Sequence, residues 1–395
     1  MSPSPSSPVR FVTVGNPGNR RVTMFAAAVR AAGLPQPRTL AWREVLSGRY
    51  AFEPGEVVRI DSPGEDAEVD RLLRGADHPT RVEGTARWYR SFTAAVGAVA
   101  RAATAAGAEL LADPEDIAVM FDKRRCHARL STAGIPVPEA LPAPAASRGR
   151  ETAGGGPTRD RACAGPLGGW DDLRERLGAA RMPRAFVKPA HGSSASGVVA
   201  LSLGGAGRVR ATTSVEITPD GRLFNSLQVR QYDTEPEVAA LIDALAPDGL
   251  HVERWLPKAA LDGRPCDLRM VVVAGRVTHA VARTSRHPMT NLHLGGARGD
   301  LGRLRAAVDG AGGRWVDALS IAERAAACFP RTLCVGVDVL PAIGWRRFAL
   351  GEVNAFGDLL PRLSGLAGGG AERLDTYSAQ VAAVLRREEA HRGAA

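Results

Sequence analysis

Two nonpolar segments near the C-terminal end, CVGVDVL (334–340) and FALGEVN (348–354), constrain the fold more than any other feature. Both are short and largely nonpolar, which is typical of buried strands. The first carries Asp338, and the second carries Glu352 and Asn354. Residues two apart on a strand point to the same face, so Glu352 and Asn354 present two oxygen donors side by side.

These oxygen donors predict a cation site. If the two segments pair as neighbouring strands, Asp338 comes close to Glu352 and Asn354. Mg²⁺ is held in proteins by a few carboxylates, with waters and substrate phosphates completing its shell. Two buried carboxylates without a cation would repel each other, and one would have to stay protonated. The alternative is that the acids are exposed strand ends with no ligand.

Composition excludes several classes of protein. The chain has 395 residues, of which 45% are hydrophobic and 24% charged, as in an ordinary globular protein of two or three domains. Its N-terminal MSPSPSSPVRF lacks the nonpolar segment of a signal peptide, and no run of about 18 nonpolar residues could span a membrane. We therefore expect a cytoplasmic location. The five cysteines include no CxxC pair, which favours reduced thiols over disulfides or zinc.

The basic residues are distributed unevenly by type. The net charge is +9, but the arginines are scattered and no Lys/Arg run occurs, so we expect no specific nucleic-acid partner. Of the 51 basic residues only three are lysine: Lys123, Lys188 and Lys258. A compact ammonium and a fork-shaped guanidinium are not interchangeable, so these positions favour a function that needs lysine, with chance as the alternative.

The N-terminal part predicts a small α/β domain. RFVTVG (10–15) is typical of a strand, and a helix follows that ends at Gly33. A second strand at 56–61 and an Ala-rich helix at 91–107 continue the alternation, which favours a parallel sheet. The loop GNPGNRR only loosely matches a dinucleotide-binding fingerprint, because the third glycine is missing.

The rest of the chain predicts an α+β arrangement. A helix begins near residue 122 and ends at Gly134, and a Pro/Gly/Ala-rich stretch at 142–169 predicts a mobile insertion without a catalytic role. Beyond Trp170, antiparallel strand pairs alternate with helices. The segments concerned are 184–201, 251–257, 267–283, 291–296, a helix at about 316–328, 334–340 and 348–354.

A small-residue loop follows one predicted strand. In FVKPAHGSSASGV, Lys188 ends the strand, and residues 192–197 are glycine, serine and alanine. Small residues allow backbone N–H groups to approach phosphate oxygens, and an ammonium can neutralise their charge. The stretch is neither a P-loop nor a GxSxG elbow. An ordinary hairpin turn is the alternative.

The hairpin DLRMVVVAGRVTHAVAR carries Asp267 and Arg269 on one strand and Arg283 near the end of the next. Two arginines at the ends of a strand pair could clamp a carboxylate or a phosphoryl group. The alternative is that both arginines are solvated residues at strand ends without a ligand. The nearby His279, His287 and His293 lack regular ligand spacing, which favours structural or substrate-lining roles.

Taken in order, these motifs resemble the ATP-grasp superfamily, particularly the branch of glutathione synthetase and of the ligases that add glutamate to a ribosomal protein. The resemblance covers roughly residues 118–365 and includes DK…GIPVP, FVKP…GS…GV, VERWLP, NLHLGG, GVDVL and GEVN. It implies a parallel α/β pre-grasp domain (1–117) followed by two α+β subdomains (118–260 and 261–395) that clasp ATP.

The resemblance also implies ATP and Mg²⁺ as ligands. The two lysines would contact the phosphates, with Lys188 also near the adenine, the loop would be a lid, and residues 253–256 would form the adenine-binding hinge. The matching nucleotide-binding residues are Lys123, Lys188, Gly192, Ser193, Ser194, Ser196, Gly197, Glu253, Trp255, Leu256 and Asp267. The long insertion and the extra serine of HGSSASG depart from the family pattern.

The remaining roles concern the chemistry. Arg269 and Arg283 would stabilise the transferred phosphoryl group, with Asn291 beside it, and Asp338, Glu352 and Asn354 would hold Mg²⁺. Of these six residues, all except Asn291 were also singled out above from their sequence patterns.

The implied reaction has two steps: a carboxylate takes the γ-phosphoryl group of ATP to give an acyl phosphate and ADP, and an amine then displaces phosphate. A kinase of the same fold and a nucleotide-binding protein without turnover remain alternatives. The acid and the amine, small molecule or peptide, are not readable from the sequence, and a homodimer is left open.

Overall fold

The computed structural model of the protein describes residues 8–142 except 77 and 79, and then 166–192, 196–357 and 360–394. The predicted mobile insertion therefore falls mostly outside the described residues. None of the helices in the described ranges is long and apolar enough to cross a membrane.

A parallel sheet of four strands, in the order β2-β1-β3-β4, forms the N-terminal part, as predicted. The strand predicted second is the third in the chain, because a short strand and helix at 38–46 precede it. The elements are β1 (Arg10–Gly15), α1 (Arg20–Ala31), β2 (Arg38–Ala41), α2 (Trp42–Leu46), β3 (Glu56–Ile60), α3 (Ala67–Arg74), α4 (Thr85–Ala105), β4 (Glu109–Leu110), α5 (Pro114–Met120) and α6 (Lys123–Thr132).

An antiparallel sheet of five strands follows, in the order β8-β7-β6-β5-β9. Helices α7 and α8 pack against it through Leu173, Leu177 and Leu241, which are fully or almost fully buried. The elements are α7 (Trp170–Ala179), β5 (Arg184–Pro189), β6 (Val199–Leu203), β7 (Val209–Ile217), β8 (Leu223–Tyr232), α8 (Glu235–Leu245) and β9 (Leu250–Arg254).

The third sheet has six strands, β13-β12-β11-β14-β15 with β10 beside β11, and its pairs are antiparallel. The predicted neighbours 334–340 and 348–354 do pair in it. The elements are β10 (Ala260–Leu261), β11 (Arg264–Val273), β12 (Arg276–Thr284), β13 (Ala297–Gly299), α9 (Leu301–Gly310), α10 (Trp315–Ala327), β14 (Cys334–Pro341), β15 (Phe348–Asn354) and α11 (Thr376–Ala394).

One large core joins the first and third sheets. It includes Val12 and Trp42 from the N-terminal part together with Val272 and Val337 from the third sheet, all at most 1% exposed. The C-terminal helix α11 also packs on the N-terminal part, through Tyr377. The two sheets therefore form one packed body, and the predicted divisions at residues 117 and 260 stay predictions.

His279 lies inside this body, away from any cavity wall described below. It is fully buried on β12, its Nε2 lies 2.9 Å from the carbonyl oxygen of Leu374, and its Nδ1 lies 2.9 Å from Thr278 Oγ1. Burial lowers the pKa of His279, so the ring is neutral at neutral pH. Its contacts are those of a structural histidine.

Gly336 allows strand β14, which carries Asp338, to lie against the loop after β15. A Cβ atom at this position would lie 2.6 Å from the carbonyl oxygen of Gly357, closer than real Cβ contacts. We expect Gly336→Ala to lower the free energy of unfolding by about 1–3 kcal/mol, because the backbone of the loop must shift. Urea unfolding measures the change.

Gly178→Ala is the matched control. Gly178 lies in α7, and a Cβ there meets no atom within 4 Å. Alanine replaces glycine favourably inside a helix, so this variant should be unchanged or up to about 1 kcal/mol more stable. Equal stability of the two variants would contradict the close-approach argument.

Candidate active site

A cavity of about 490 Å³ lies between the second and third sheets, and loops of the first sheet close one side. Its wall contains thirteen of the residues predicted as site residues. They are Lys123, Lys188, Gly192, Ser196, Glu253, Leu256, Asp267, Arg269, Arg283, Asn291, Asp338, Glu352 and Asn354.

Four predicted residues are not part of this wall. Ser193 and Ser194 lie outside the described residues. Trp255 does not line the cavity, but its ring centroid lies 5.3 Å from that of Phe186, which does. Gly197 is buried with φ +71°, and a Cβ there would lie 2.6 Å from Pro189 Cγ, so this position requires glycine.

The arginine pair holds one carboxylate. Asp338 on β14 pairs in register with Arg269 on β11, and Arg269 hydrogen-bonds both of its carboxylate oxygens. Arg283 Nη2 lies 3.0 Å from Asp338 Oδ1. Burial alone would raise the pKa of Asp338, but the two guanidinium groups hold it at about 2. Asp338 is therefore ionised at neutral pH.

Arg283 also binds a second buried carboxylate. Its Nε lies 2.7 Å from Asp267 Oδ1, and the hydroxyl of Thr290 donates to the other oxygen of Asp267. Burial would lower the pKa of Arg283, but the carboxylates of Asp338 and Asp267 raise it. The result is a continuous network of alternating charges across three strands.

Lys123 links β15 to the small-residue loop. Its Nζ lies 2.5 Å from Glu352 Oε1 and donates to the carbonyl oxygen of Gly192 at 3.0 Å. Burial opposes its charge, but Glu352 raises the pKa of Lys123, so the ammonium persists. Lys123 is the first residue of α6, which Asp122 caps with its side chain, so the helix start fixes the position of the lysine.

Lys188 and Glu253 form the second lysine–carboxylate pair, between β5 and β9. His251 Nε2 lies 3.2 Å from Glu253 Oε2. Burial would raise the pKa of Glu253, but Lys188 and His251 lower it to about 2. Burial lowers the pKa of His251, so the ring is neutral, and its Nε2–H must donate because an ionised carboxylate only accepts.

The residues predicted to hold a metal fit Mg²⁺ in type and placement. Asp338 and Glu352 are paired across β14 and β15, and Asn354 follows on the same strand. The Asn354 Nδ2 atom is buried and has no hydrogen-bond partner among the described residues. A half-turn of this amide would exchange its nitrogen for its oxygen, giving two carboxylates and one amide oxygen as the donor set.

The charges around this donor set also matter. Both carboxylates already have cationic partners, Lys123 for Glu352 and the two arginines for Asp338. A divalent cation at this point must therefore arrive with anionic groups, as a metal–phosphate complex does. Within the described ranges no group of three or more His, Cys, Asp or Glu side chains could hold a metal.

Part of the wall was not assigned from the sequence. These residues include Asn19, Ser62, Gly64 and Glu65 from loops of the first sheet, Arg21 from the first turn of α1, and Lys258 and Thr290 beside the third sheet. The first group follows the carboxyl ends of β1 and β3, where ligands commonly bind in parallel sheets, so strand position alone could have indicated it.

The loop after β3 is hydrogen-bonded to the loop between β1 and α1. Asn16 Nδ2 donates to the carbonyl oxygens of Pro63 and Gly64, at 2.9 and 3.0 Å. Asn19 Nδ2 donates to Glu65 Oε2 at 2.9 Å. The first sheet therefore contributes a preformed polar rim to the cavity.

No family model and no curated protein matches the chain. Among solved structures it is similar to D-cycloserine synthetase DcsG, with a TM-score of 0.54 and 15% identity over 95% of this chain and 99% of that chain. It is also similar to ATP-grasp ligase PsnB complexed with minimal precursor, with a TM-score of 0.51 and 15% identity over 95% and 100% of the two chains. For PsnB complexed with a phosphomimetic variant of minimal precursor, Mg and ADP, the TM-score is 0.50 and the identity 15%, over 96% of this chain and 99% of that chain. The fold predicted from the motifs is confirmed: the chain has the ATP-grasp fold.

Proposed function

We propose that the chain is an ATP-dependent ligase that activates a carboxylate as an acyl phosphate and couples it to an amine, releasing ADP and phosphate. The observation that supports this most is the convergence of two lysine–carboxylate pairs, an arginine pair and three oxygen donors in one cavity wall. The likeness to PsnB, whose complexes contain Mg and ADP, supports a nucleotide and metal at this site.

The nucleotide would be held by charge at one end and by nonpolar contact at the other. Lys123 and Lys188 would bind phosphate oxygens, and their carboxylate partners keep both ammonium groups in place before the nucleotide arrives. Leu256 and Leu340 offer nonpolar surface in the same wall for the adenine.

Asp338, Glu352 and Asn354 would hold Mg²⁺, which when bound neutralises phosphate charge and orients the transferred group. The chain's own residues then complete the charge balance. Arg269 and Arg283 lie beside Asp338 and would stabilise the negative charge that develops on the phosphoryl oxygens.

The bond changes need no protein nucleophile. A substrate carboxylate oxygen attacks the γ-phosphorus, and the bond to the bridging oxygen of ADP breaks. The amine nitrogen then attacks the acyl carbon, the carbon–oxygen bond to phosphate breaks, and the nitrogen loses a proton. Burial raises the pKa values of Cys126 and Cys266 to about 12, so neither buried thiol is a thiolate at neutral pH.

A screen of candidate acids and amines for ADP release tests the proposal, with mass spectrometry of the product. Small molecules and short peptides both belong in it, because D-cycloserine synthetase and the precursor complexes of PsnB share the fold. We expect ADP and phosphate only when an acid and an amine are both present. AMP and pyrophosphate would overturn the proposal, a stable phosphorylated product without an amine would indicate a kinase, and tight ATP binding without turnover would indicate a binding protein.

We expect Lys188→Met to weaken ATP binding by about 10- to 100-fold, because a charge-assisted hydrogen bond is lost and Glu253 loses its cation. Calorimetric titration with a non-hydrolysable ATP analogue measures this. Arg210→Met is the control in the same sheet, since Arg210 is exposed and pairs with the exposed Asp233. Equal affinities of the two variants would remove Lys188 from the nucleotide site.

A further inference from the structure

Lys258 is a cavity residue to which the proposed function gives no role. It lies half-buried in the wall, between β9 and β10. Its Nζ donates to Thr290 Oγ1 at 3.0 Å, and the Thr290 hydroxyl donates in turn to Asp267, the carboxylate that also binds Arg283. Lys258 is thus coupled to the arginine network predicted to act on the phosphoryl group.

Lys258 differs from the other two lysines of the wall in its partner. Lys123 is paired with Glu352, and Lys188 is paired with Glu253. Within the described part of the chain, the Lys258 ammonium donates to a hydroxyl and forms no ion pair with a carboxylate. A neutral partner stabilises a charged amine less than a carboxylate does.

The surroundings of Lys258 lower the pKa of its ammonium group. Burial lowers the pKa of Lys258, and the Arg283 guanidinium lowers it further, whereas the carboxylates of Asp267 and Asp338 oppose the shift. Cys266 also lies near, and burial raises the pKa of its thiol to about 12, so it is uncharged at neutral pH. A buried lysine with a lowered pKa is a suitable general base.

Three other titratable groups of the described wall are poor bases. Asp338 and Glu253 have pKa values of about 2, so at neutral pH they hold protons weakly. Lys123 is kept protonated by Glu352, which raises its pKa. The second ligation step nevertheless releases a proton from the amine, and that proton needs an acceptor.

We propose that Lys258 is the general base that takes this proton, an inference that rests on the proposed ligase function. The amine nitrogen forms a bond to the acyl carbon, the carbon–oxygen bond to phosphate breaks, and phosphate leaves with the electron pair. The proton of the nitrogen moves to the Lys258 Nζ, which becomes an ammonium beside the departing phosphate. The chemical class recognised is therefore an amine acceptor that arrives next to Lys258.

The charges of bound ADP and acyl phosphate favour the protonated form of Lys258. The relevant titration is therefore that of the enzyme with these groups bound, which the pH dependence of kcat reports. We expect kcat for an amine acceptor to fall on the acid side as Lys258 becomes protonated.

Two variants and two acceptors test the role. Lys258→Arg keeps the positive charge but cannot give up a proton, and Lys258→Met removes both. Each is assayed with the amine found in the screen and with excess hydroxylamine, which is already uncharged at neutral pH and traps the acyl phosphate as a hydroxamate. Binding of an ATP analogue checks that both variants fold.

We expect both variants to lose about 100-fold or more in kcat with the amine, and to lose the acid limb of the pH profile. With hydroxylamine the loss should be at least about tenfold smaller, because this uncharged nucleophile in excess attacks without prior deprotonation and can lose its proton to solvent. Wild-type activity of Lys258→Arg would overturn the proposal and make Lys258 a simple cation. Equal losses with both acceptors would also overturn it. Failure of the unsubstituted protein to form hydroxamate with any acid would instead refute the ligase function itself.

Discussion

Replacing Glu352 with glutamine is expected to reduce ADP release by about 100- to 1000-fold at saturating ATP. The change keeps the size of the side chain but removes the negative charge of one proposed Mg²⁺ ligand, and it takes from Lys123 its carboxylate partner at 2.5 Å. The concentration of Mg²⁺ that gives half-maximal rate should rise as well. A titration of the rate against Mg²⁺ measures both effects.

Glu115→Gln is the matched control for this experiment. Glu115 also lies 2.5 Å from a basic side chain, Arg125, but both are exposed and outside the cavity wall. An exposed ion pair contributes little, so this variant should keep its rate and its Mg²⁺ dependence. If Glu352→Gln behaved like the control, the magnesium assignment would be abandoned.

The residues of the cavity wall could be predicted from the sequence where the alternation of a strand decides which face they occupy. On β11 and β14, polar residues interrupt otherwise nonpolar strands, and the strand period of two then places Asp267, Arg269 and Asp338 on definite faces. Their register in the folded sheet brings Arg269 opposite Asp338 and Asp267 opposite Arg283. Strand periodicity predicted the faces and the hairpin of β11 and β12, whereas the pairing of β11 with β14 was not predicted.

The ion pairs themselves could not be predicted. Lys123 and Glu352 are 229 residues apart, and no local pattern relates two such positions. Lys258 was visible as a rare lysine, but its partner Thr290 comes from a loop whose path depends on the whole fold. Partners set by tertiary packing carry no periodic signal.

Some elements were missed because their sequences lack the expected alternation. Strand β8, LFNSLQVRQY, is an edge strand with only Leu223 fully buried, so polar residues fill both faces. Strand β2 has four residues, of which two are buried. Short or edge strands bury too little of one face to show a period of two.

Arg283→Met is expected to lower the free energy of unfolding by about 3–5 kcal/mol at neutral pH. The guanidinium lies between two buried carboxylates, Asp267 and Asp338, and methionine fills a similar volume without the charge. Arg269 still binds Asp338, but Asp267 keeps only the hydroxyl of Thr290 among the partners described above. A buried carboxylate that loses its cation carries most of the cost.

The pH dependence identifies this cause. Asp338 has a pKa of about 2 in the folded protein, below its ordinary 3.8, so its contribution to stability is present above the ordinary value and is lost as the pH falls toward 2. Without Arg283 the pKa of Asp338 rises, and this acid-labile contribution shrinks. Urea unfolding at pH 7 and near pH 3 should therefore show a smaller difference between the variant and the unsubstituted protein at the lower pH.

Arg303→Met supplies the comparison with an exposed pair. Arg303 lies 2.5 Å from Asp262, but the two side chains are 61% and 56% exposed, so solvent already screens their charges. Its loss should cost at most about 1 kcal/mol at either pH. Because both variants exchange arginine for methionine next to an aspartate, a difference between them isolates burial as the cause. Equal costs at pH 7, or a gap that does not narrow in acid, would mean that Arg283 does not stabilise the fold through its carboxylates.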